Sequence, residues 1–106
     1  MNPRVVSSIA CVASVMLLLA GSPAIAQDAG RVRLLASNCA NCHGTDGRSQ
    51  GGMPSLTGQA KGKLVEALQE FRSGKRVATI MHQIAKGYTD EQIDVVAAWF
   101  AAQSAK

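Results

Sequence analysis

Residues Cys39–Gly47 read CANCHGTDG, and the fold and chemistry of the 106-residue chain turn on that stretch. Two cysteines with two residues between them fit a redox disulfide, half of a zinc site, or an attachment point. The histidine that follows at once narrows the choice. A thioredoxin-like redox pair belongs in a strand-and-helix setting, and neither a β-branched alternating run nor a βαβ pattern surrounds this pair. A structural zinc site takes four ligands, usually as two pairs. Cys39, Cys42, His43 and His82 can be counted to four, but adjacent Cys42 and His43 would crowd one side of a tetrahedron. The spacing C-x-x-C-H is the one that attaches c-type haem. Two thiols one helical turn apart reach the two vinyl groups of one porphyrin as thioethers, and the next residue points its imidazole at the iron. Cys39 and Cys42 are therefore read as the covalent haem attachments and His43 as an axial iron ligand.

The N-terminus reads as an address. Arg4 supplies a positive start, Val5 to Ala20 is almost wholly apolar, and Gly21, Ser22 and Pro23 break the run. Ala24-Ile25-Ala26 then fits the small-x-small cleavage pattern of a secretory signal peptide. A membrane anchor is the competing reading, but the run falls short of the ~20 residues that a spanning helix needs. Cys11 lies inside the apolar run, whereas a lipid-attachment cysteine would close it. Residues 1–26 are thus expected to be a cleaved signal peptide, residues 27–106 the working domain, and the periplasm its location, with no membrane span after cleavage. Export strengthens the haem reading, because c-type haem is attached outside the cytoplasm in bacteria. Cleavage removes Arg4 and lowers the formal charge of +4 by one.

That domain has one Trp, one Tyr and two Phe, few large side chains from which to build a core. Chains of this size usually need a disulfide, a metal or a prosthetic group to fold, and a buried porphyrin would supply the missing apolar body. Asp28 is placed to cap a first helix that carries Arg31, Val32, Leu34 and Leu35 towards the cysteines. Gly44–Gln59 is a Gly/Ser/Thr-rich loop. From Lys61, the apolar residues Leu64, Ala67, Leu68 and Phe71 recur at helical spacing, with Gly74 as the stop. A short helical piece spans Val77 to Gly87. Thr89 and Gln92 then form a capping box for a last helix that places Ile93, Val96, Ala97 and Phe100 on one face, with Trp99 beside it. No strand or internal repeat is expected, so the domain is all-α.

The sixth iron ligand has three candidates, Met53, Met81 and His82. Side chains of neighbouring helical residues diverge by about 100°, so only one of Met81 and His82 can face the iron. Met81 falls on an apolar stripe with Val77, Ile84 and Ala85, whereas His82 lines up with Ala78 and Lys86. This favours Met81 over His82. Reach alone leaves Met53 open, since ten extended residues span ~33 Å.

With CANCHGTDG near the start, MPSL (Met53–Leu56) after a glycine-rich loop, a late helical methionine and paired aromatics in the last helix, the chain resembles a class I c-type cytochrome. The resemblance covers essentially all of residues 27–106. More narrowly, SGKRVATIMHQIAKGYTDEQIDVVAAWFAAQ (Ser73–Gln103) is similar to the C-terminal half of the cytochrome subunit of flavocytochrome c sulfide dehydrogenase. Related small bacterial periplasmic cytochromes share parts of the pattern. The resemblance implies a small class I cytochrome c fold, short helices and loops wrapped around one covalently attached haem c. It also implies that the Pro54 carbonyl accepts a hydrogen bond from the His43 ring, which puts Met53 on the wrong side of the haem and leaves Met81 as the sixth ligand.

His/Met ligation points to electron transfer, since a thioether favours ferrous iron and raises the potential. Filling both axial positions leaves no open site for a substrate. The expectation is a one-electron carrier that accepts electrons from the flavoprotein (FAD) subunit of a sulfide dehydrogenase. A free carrier docking with other redox proteins is the alternative. A haem enzyme or sensor, with the Met81 bond opening, is disfavoured because no acid/base pair lies near the distal side. Lys61, Lys63, Arg72, Lys75, Arg76 and Lys86 either form a basic collar that steers an acidic partner or are an ordinary solvated face. Nucleic acid is not an expected partner, because export separates the chain from it and no aromatic-basic stacking platform is present.

Overall fold

The structure, a computed structural model, describes residues 23–104. All but the last four residues of the expected signal peptide lie outside that range. Four helices follow in order: α1 (Pro23–His43), α2 (Lys61–Ser73), α3 (Met81–Lys86) and α4 (Asp90–Ala101). A 3₁₀ turn at Thr45–Gly47 follows α1, and no strand occurs among the described residues.

Helix α1 departs from the expected start. It is already helical at Pro23, the first described residue. Asp28 therefore lies inside the helix, exposed, and does not cap it. At its other end α1 runs through the whole of CANCH, so Cys39, Cys42 and His43 share its last turns.

Helix α2 stops where expected, at Gly74, which turns left-handed at φ 80° and returns its N–H to the Phe71 carbonyl. Helix α3 is shorter than expected. Val77 to Ile80 are not helical, Ile80 makes no side-chain cap, and regular structure begins only at Met81. Val77 is 96% exposed and is not part of an apolar stripe on that helix. Periodicity cannot separate a short helix from the irregular chain leading into it, because six residues hold less than two turns.

Helix α4 has the reciprocal capping box. The Gln92 N–H donates to Thr89 Oγ1 at 3.2 Å, and Gln92 Oε1 accepts the Thr89 N–H at 3.0 Å. Its buried face is Ile93, Val96, Ala97 and Phe100. Val96, Ala97 and Phe100 pack with Ala36 of α1 and Leu64 of α2 as one cluster. Alanines at 36 and 97 keep the α1 and α4 backbones close, and Trp99 meets the Phe100 ring edge-on, with centroids 4.9 Å apart.

The loop between α1 and α2 is sewn onto this core. Gly47 sits at φ +78°, and a Cβ there would stand 2.7 Å from Phe100 Cδ1, so the turn accepts only glycine. The Gly47 carbonyl accepts the N–H groups of Leu56 at 2.8 Å and Thr57 at 3.3 Å. Buried Thr57 donates its hydroxyl to the Asp46 carbonyl at 2.9 Å. These bonds fix the path of the segment that contains Pro54.

Candidate haem site

A cavity of about 340 Å³ opens between α1, α2, α3 and the Gly44–Ala60 loop, within the range of ~300–1,000 Å³ typical of small-molecule sites. Cys39, Cys42 and His43 line it from α1, Met53 and Pro54 from the loop, and Met81 from the head of α3. Most of the remaining wall is apolar and comes from α2, α4 and the segment leading into α3, including Leu68, Phe71, Val77, Ile80, Val96 and Phe100. Residues from Asn38 to Phe100 thus converge on one space. His82 is not part of that wall; its Nδ1 is buried without a hydrogen-bond partner among the described residues.

His43 is 7% exposed, and its Nδ1 lies 2.6 Å from the Pro54 carbonyl oxygen. A carbonyl only accepts, so Nδ1 carries the proton and donates it. That leaves Nε2 with its lone pair free for a metal, the usual consequence of a hydrogen bond at the other ring nitrogen. Cys39 and Cys42 are free thiols, the first half-buried and the second exposed. Burial pushes the Cys39 thiol above its ordinary pKa, partly offset by a hydrogen bond with Tyr88. Tyr88 is itself raised by burial, against the lowering effect of Asn38.

The cationic residues near the cavity are largely neutralised by their neighbours. Lys61 pairs with Asp94 at 2.7 Å, Lys75 and Arg76 share Glu70 at 3.1 and 3.3 Å, and Arg72 pairs with Asp90. Arg76 also lies over the Phe71 ring, 5.3 Å from its centroid. Of the six basic residues that form either a collar or an ordinary solvated face, four are thus engaged with carboxylates, which favours the solvated face. Tyr88 is half-buried, and its hydroxyl reaches back to α1. That contact bridges positions 53 residues apart, and no local sequence signal announces it.

Two free thiols on successive turns, an imidazole held at Nδ1 and free at Nε2, a nearby thioether and an apolar wall form a donor set that fits a covalently attached haem. Helices without strands, gathered around such a space, define a haem-bearing electron carrier. The chain belongs to the cytochrome c family, whose pattern, Cytochrome c, matches residues 28–104. Its cofactor is a covalent c-type haem, and Cys39 and Cys42 occupy the two cysteine places of the C-x-x-C-H motif.

The chain is 42% identical over 76 residues to the cytochrome subunit of sulfide dehydrogenase from Chlorobaculum tepidum, covering 72% of this chain and 69% of that one. It is 43% identical over 72 residues to a thiosulfate dehydrogenase electron acceptor from Stutzerimonas stutzeri, covering 66% of this chain but 33% of the acceptor. Among solved structures it is similar to Acidithiobacillus ferrooxidans cytochrome c4, with a TM-score of 0.58 and 44% identity, over 60% of this chain and 37% of that one. The chain therefore spans most of the first of these proteins and about a third of the other two. No helix of the described residues is long and apolar enough to cross a membrane.

Proposed function

We propose that the protein is a periplasmic one-electron carrier with His43 and Met81 as axial ligands, and that it accepts electrons from a sulfide-oxidising FAD flavoprotein. The observation that carries the ligand assignment is the presence of His43 and Met81 on the wall of one cavity that also holds both cysteines. When bound, the haem supplies a one-electron couple between ferrous and ferric iron. Cys39 and Cys42 hold it covalently to α1, while Pro54 orients the His43 ring through the 2.6 Å contact. Met53 shares the cavity wall; the likeness to class I cytochromes, whose proline loop lies on the histidine side, favours Met81. Export by residues 1–26 delivers the chain to the compartment in which such a haem is attached.

The flavoprotein partner is supported by the likeness to the sulfide dehydrogenase subunit, which extends over 69% of that protein. Charge pairing points the same way. With Lys61, Arg72, Lys75 and Arg76 engaged by carboxylates, long-range electrostatic steering is weak. Val77 and Ile80, 96% and 57% exposed, stand on the wall of the haem cavity, an apolar rim that suits a lasting interface better than a fleeting charged one. The likeness to the thiosulfate dehydrogenase electron acceptor favours a second reading, in which the protein is a diffusible carrier for a different sulfur-compound dehydrogenase.

Affinity capture of the mature holoprotein from native periplasm separates the two. The flavoprotein reading expects flavin in equal proportion to haem, with haem reduction on adding sulfide. Elution as a haem-only monomer, unreduced by sulfide and reduced through a thiosulfate-oxidising fraction, would overturn it in favour of the second.

A further inference from the structure

Met81 heads the shortest helix of the domain, α3, six residues long. A helix of that length cannot hold itself, because nucleation costs more than so few hydrogen bonds return. Its N-terminal side offers little support: Ile80 makes no side-chain cap, and Val77 and Ile80 are exposed. Its fixed points lie at the other end. Ala85 is fully buried, and the N–H groups of Gly87 and Tyr88 return to the Ile84 and Ala85 carbonyls at 3.0 and 3.2 Å.

Immediately beyond, Tyr88 reaches two other helices. Its hydroxyl donates to the Leu35 carbonyl at 3.1 Å and accepts from Asn38 Nδ2 at 3.3 Å, both on α1. The Leu35 carbonyl is the one that, in α-helical register, also takes the Cys39 N–H. The Tyr88 carbonyl accepts from Arg72 Nη1 at 3.2 Å, and the other arm of Arg72 pairs with Asp90 at the start of α4. Among the described residues, the hydrogen bonds that join α1 to the segment 75–88 all run through Tyr88.

We propose that Tyr88, held by Arg72, is a positioning residue for the sulfur ligand: it lashes α3, and Met81 with it, to the helix that carries the attachment cysteines. The proposal rests on Met81 being the sixth ligand. A competing ligand can take that place only if α3 withdraws, and withdrawal strains the Tyr88 tether. Tyr88 thus acts through α3 on the lifetime and strength of the iron–sulfur contact.

Imidazole titration of the ferric holoprotein tests this, followed by the near-red charge-transfer band that thioether ligation gives. Tyr88→Phe keeps the ring and removes only the hydroxyl. It should bind imidazole about two- to tenfold more tightly than the unmodified protein, the range that one net hydrogen bond sets, and lose the band at correspondingly lower imidazole. Arg72→Gln should shift affinity in the same direction, by about two- to threefold if part of one such bond is lost, and it serves should the first variant fail to fold. Unchanged imidazole affinity in both variants, with only a lower melting temperature, would reduce Tyr88 to a packing residue and overturn the proposal. Met81→Ala is the control for the underlying assignment. Loss of the band in Met81→Ala with no imidazole shift in Tyr88→Phe refutes the tether alone. A band that survives Met81→Ala refutes the ligand assignment and the tether together.

Discussion

Helix α4 and the segment from Lys75 to Lys86 both border the haem cavity, yet they are specified in opposite ways. In α4 every level agrees. A capping box starts it, Asp90 and Glu91 suit the positive end of its dipole, and four of its residues are buried on one face. In the segment 75–86 the levels separate. Val77 and Ile80 line the cavity yet stay exposed, no cap marks the helix start, and order comes from Ala85 and from Tyr88 just outside it. The first region carries stability, and the second carries the proposed sulfur ligand. A ligand on a weakly self-supporting segment can be tuned by its neighbours without dismantling the fold, in keeping with the tendency of functional segments to lie at the less stable end of a structure.

The sharpest way to break this comparison is Met81→Ala. It should abolish the near-red thioether band of the ferric protein completely and lower the reduction potential, read by spectrum and by redox titration. If Met53→Ala has that effect and Met81→Ala does not, the segment 75–86 loses its functional role. Phe100→Ala probes the other region. Phe100 is 2% exposed, packs edge-on against Trp99 and backs the Gly47 turn. Its loss should cost about 3–5 kcal/mol in denaturant unfolding of the holoprotein. Thr89→Ala removes one half of the capping box and should cost about 1 kcal/mol by the same measurement. Val77→Ser, at 96% exposure, should change stability by less than about 0.5 kcal/mol. If the flavoprotein reading holds, that substitution should nonetheless weaken retention of the partner in a capture experiment. A large stability loss at Val77 would show that the two regions are not built on different principles.

Much of the helical frame was legible because its signals are local. The period of Leu64, Leu68 and Phe71, the stop at Gly74, and the Thr89/Gln92 box all act within a turn or two, and each appears where the sequence puts it. The departures share one cause. The helical course of α1 through Asp28 and the delayed start of α3 at Met81 lie where sequence signals are short or compete. Asp28 is a reasonable cap by type, but the helix of this chain already runs through it. Val77 has the right spacing for a stripe, but Ile80 leaves helical geometry, with φ −137° and ψ −27°, and periodicity lapses there. The choice between a basic collar and a solvated face was open for a different reason. Counting cations along the chain cannot show that Asp94 and Glu70 stand beside Lys61, Lys75 and Arg76.

By itself, the sequence determined the family-defining chemistry: a C-x-x-C-H stretch whose spacing is set by covalent reach along one helix, and an all-α frame set by local periodicity and capping. Only the tertiary structure decided how the site is completed. The Pro54 carbonyl meets His43 across 11 residues because the Gly47 turn folds the loop back on itself, and Tyr88 meets Leu35 across 53 because α3 and α4 return to α1. Such contacts depend on where distant backbones come to rest. That is fixed by burial of Phe100, Val96 and their neighbours, which no short window of sequence contains.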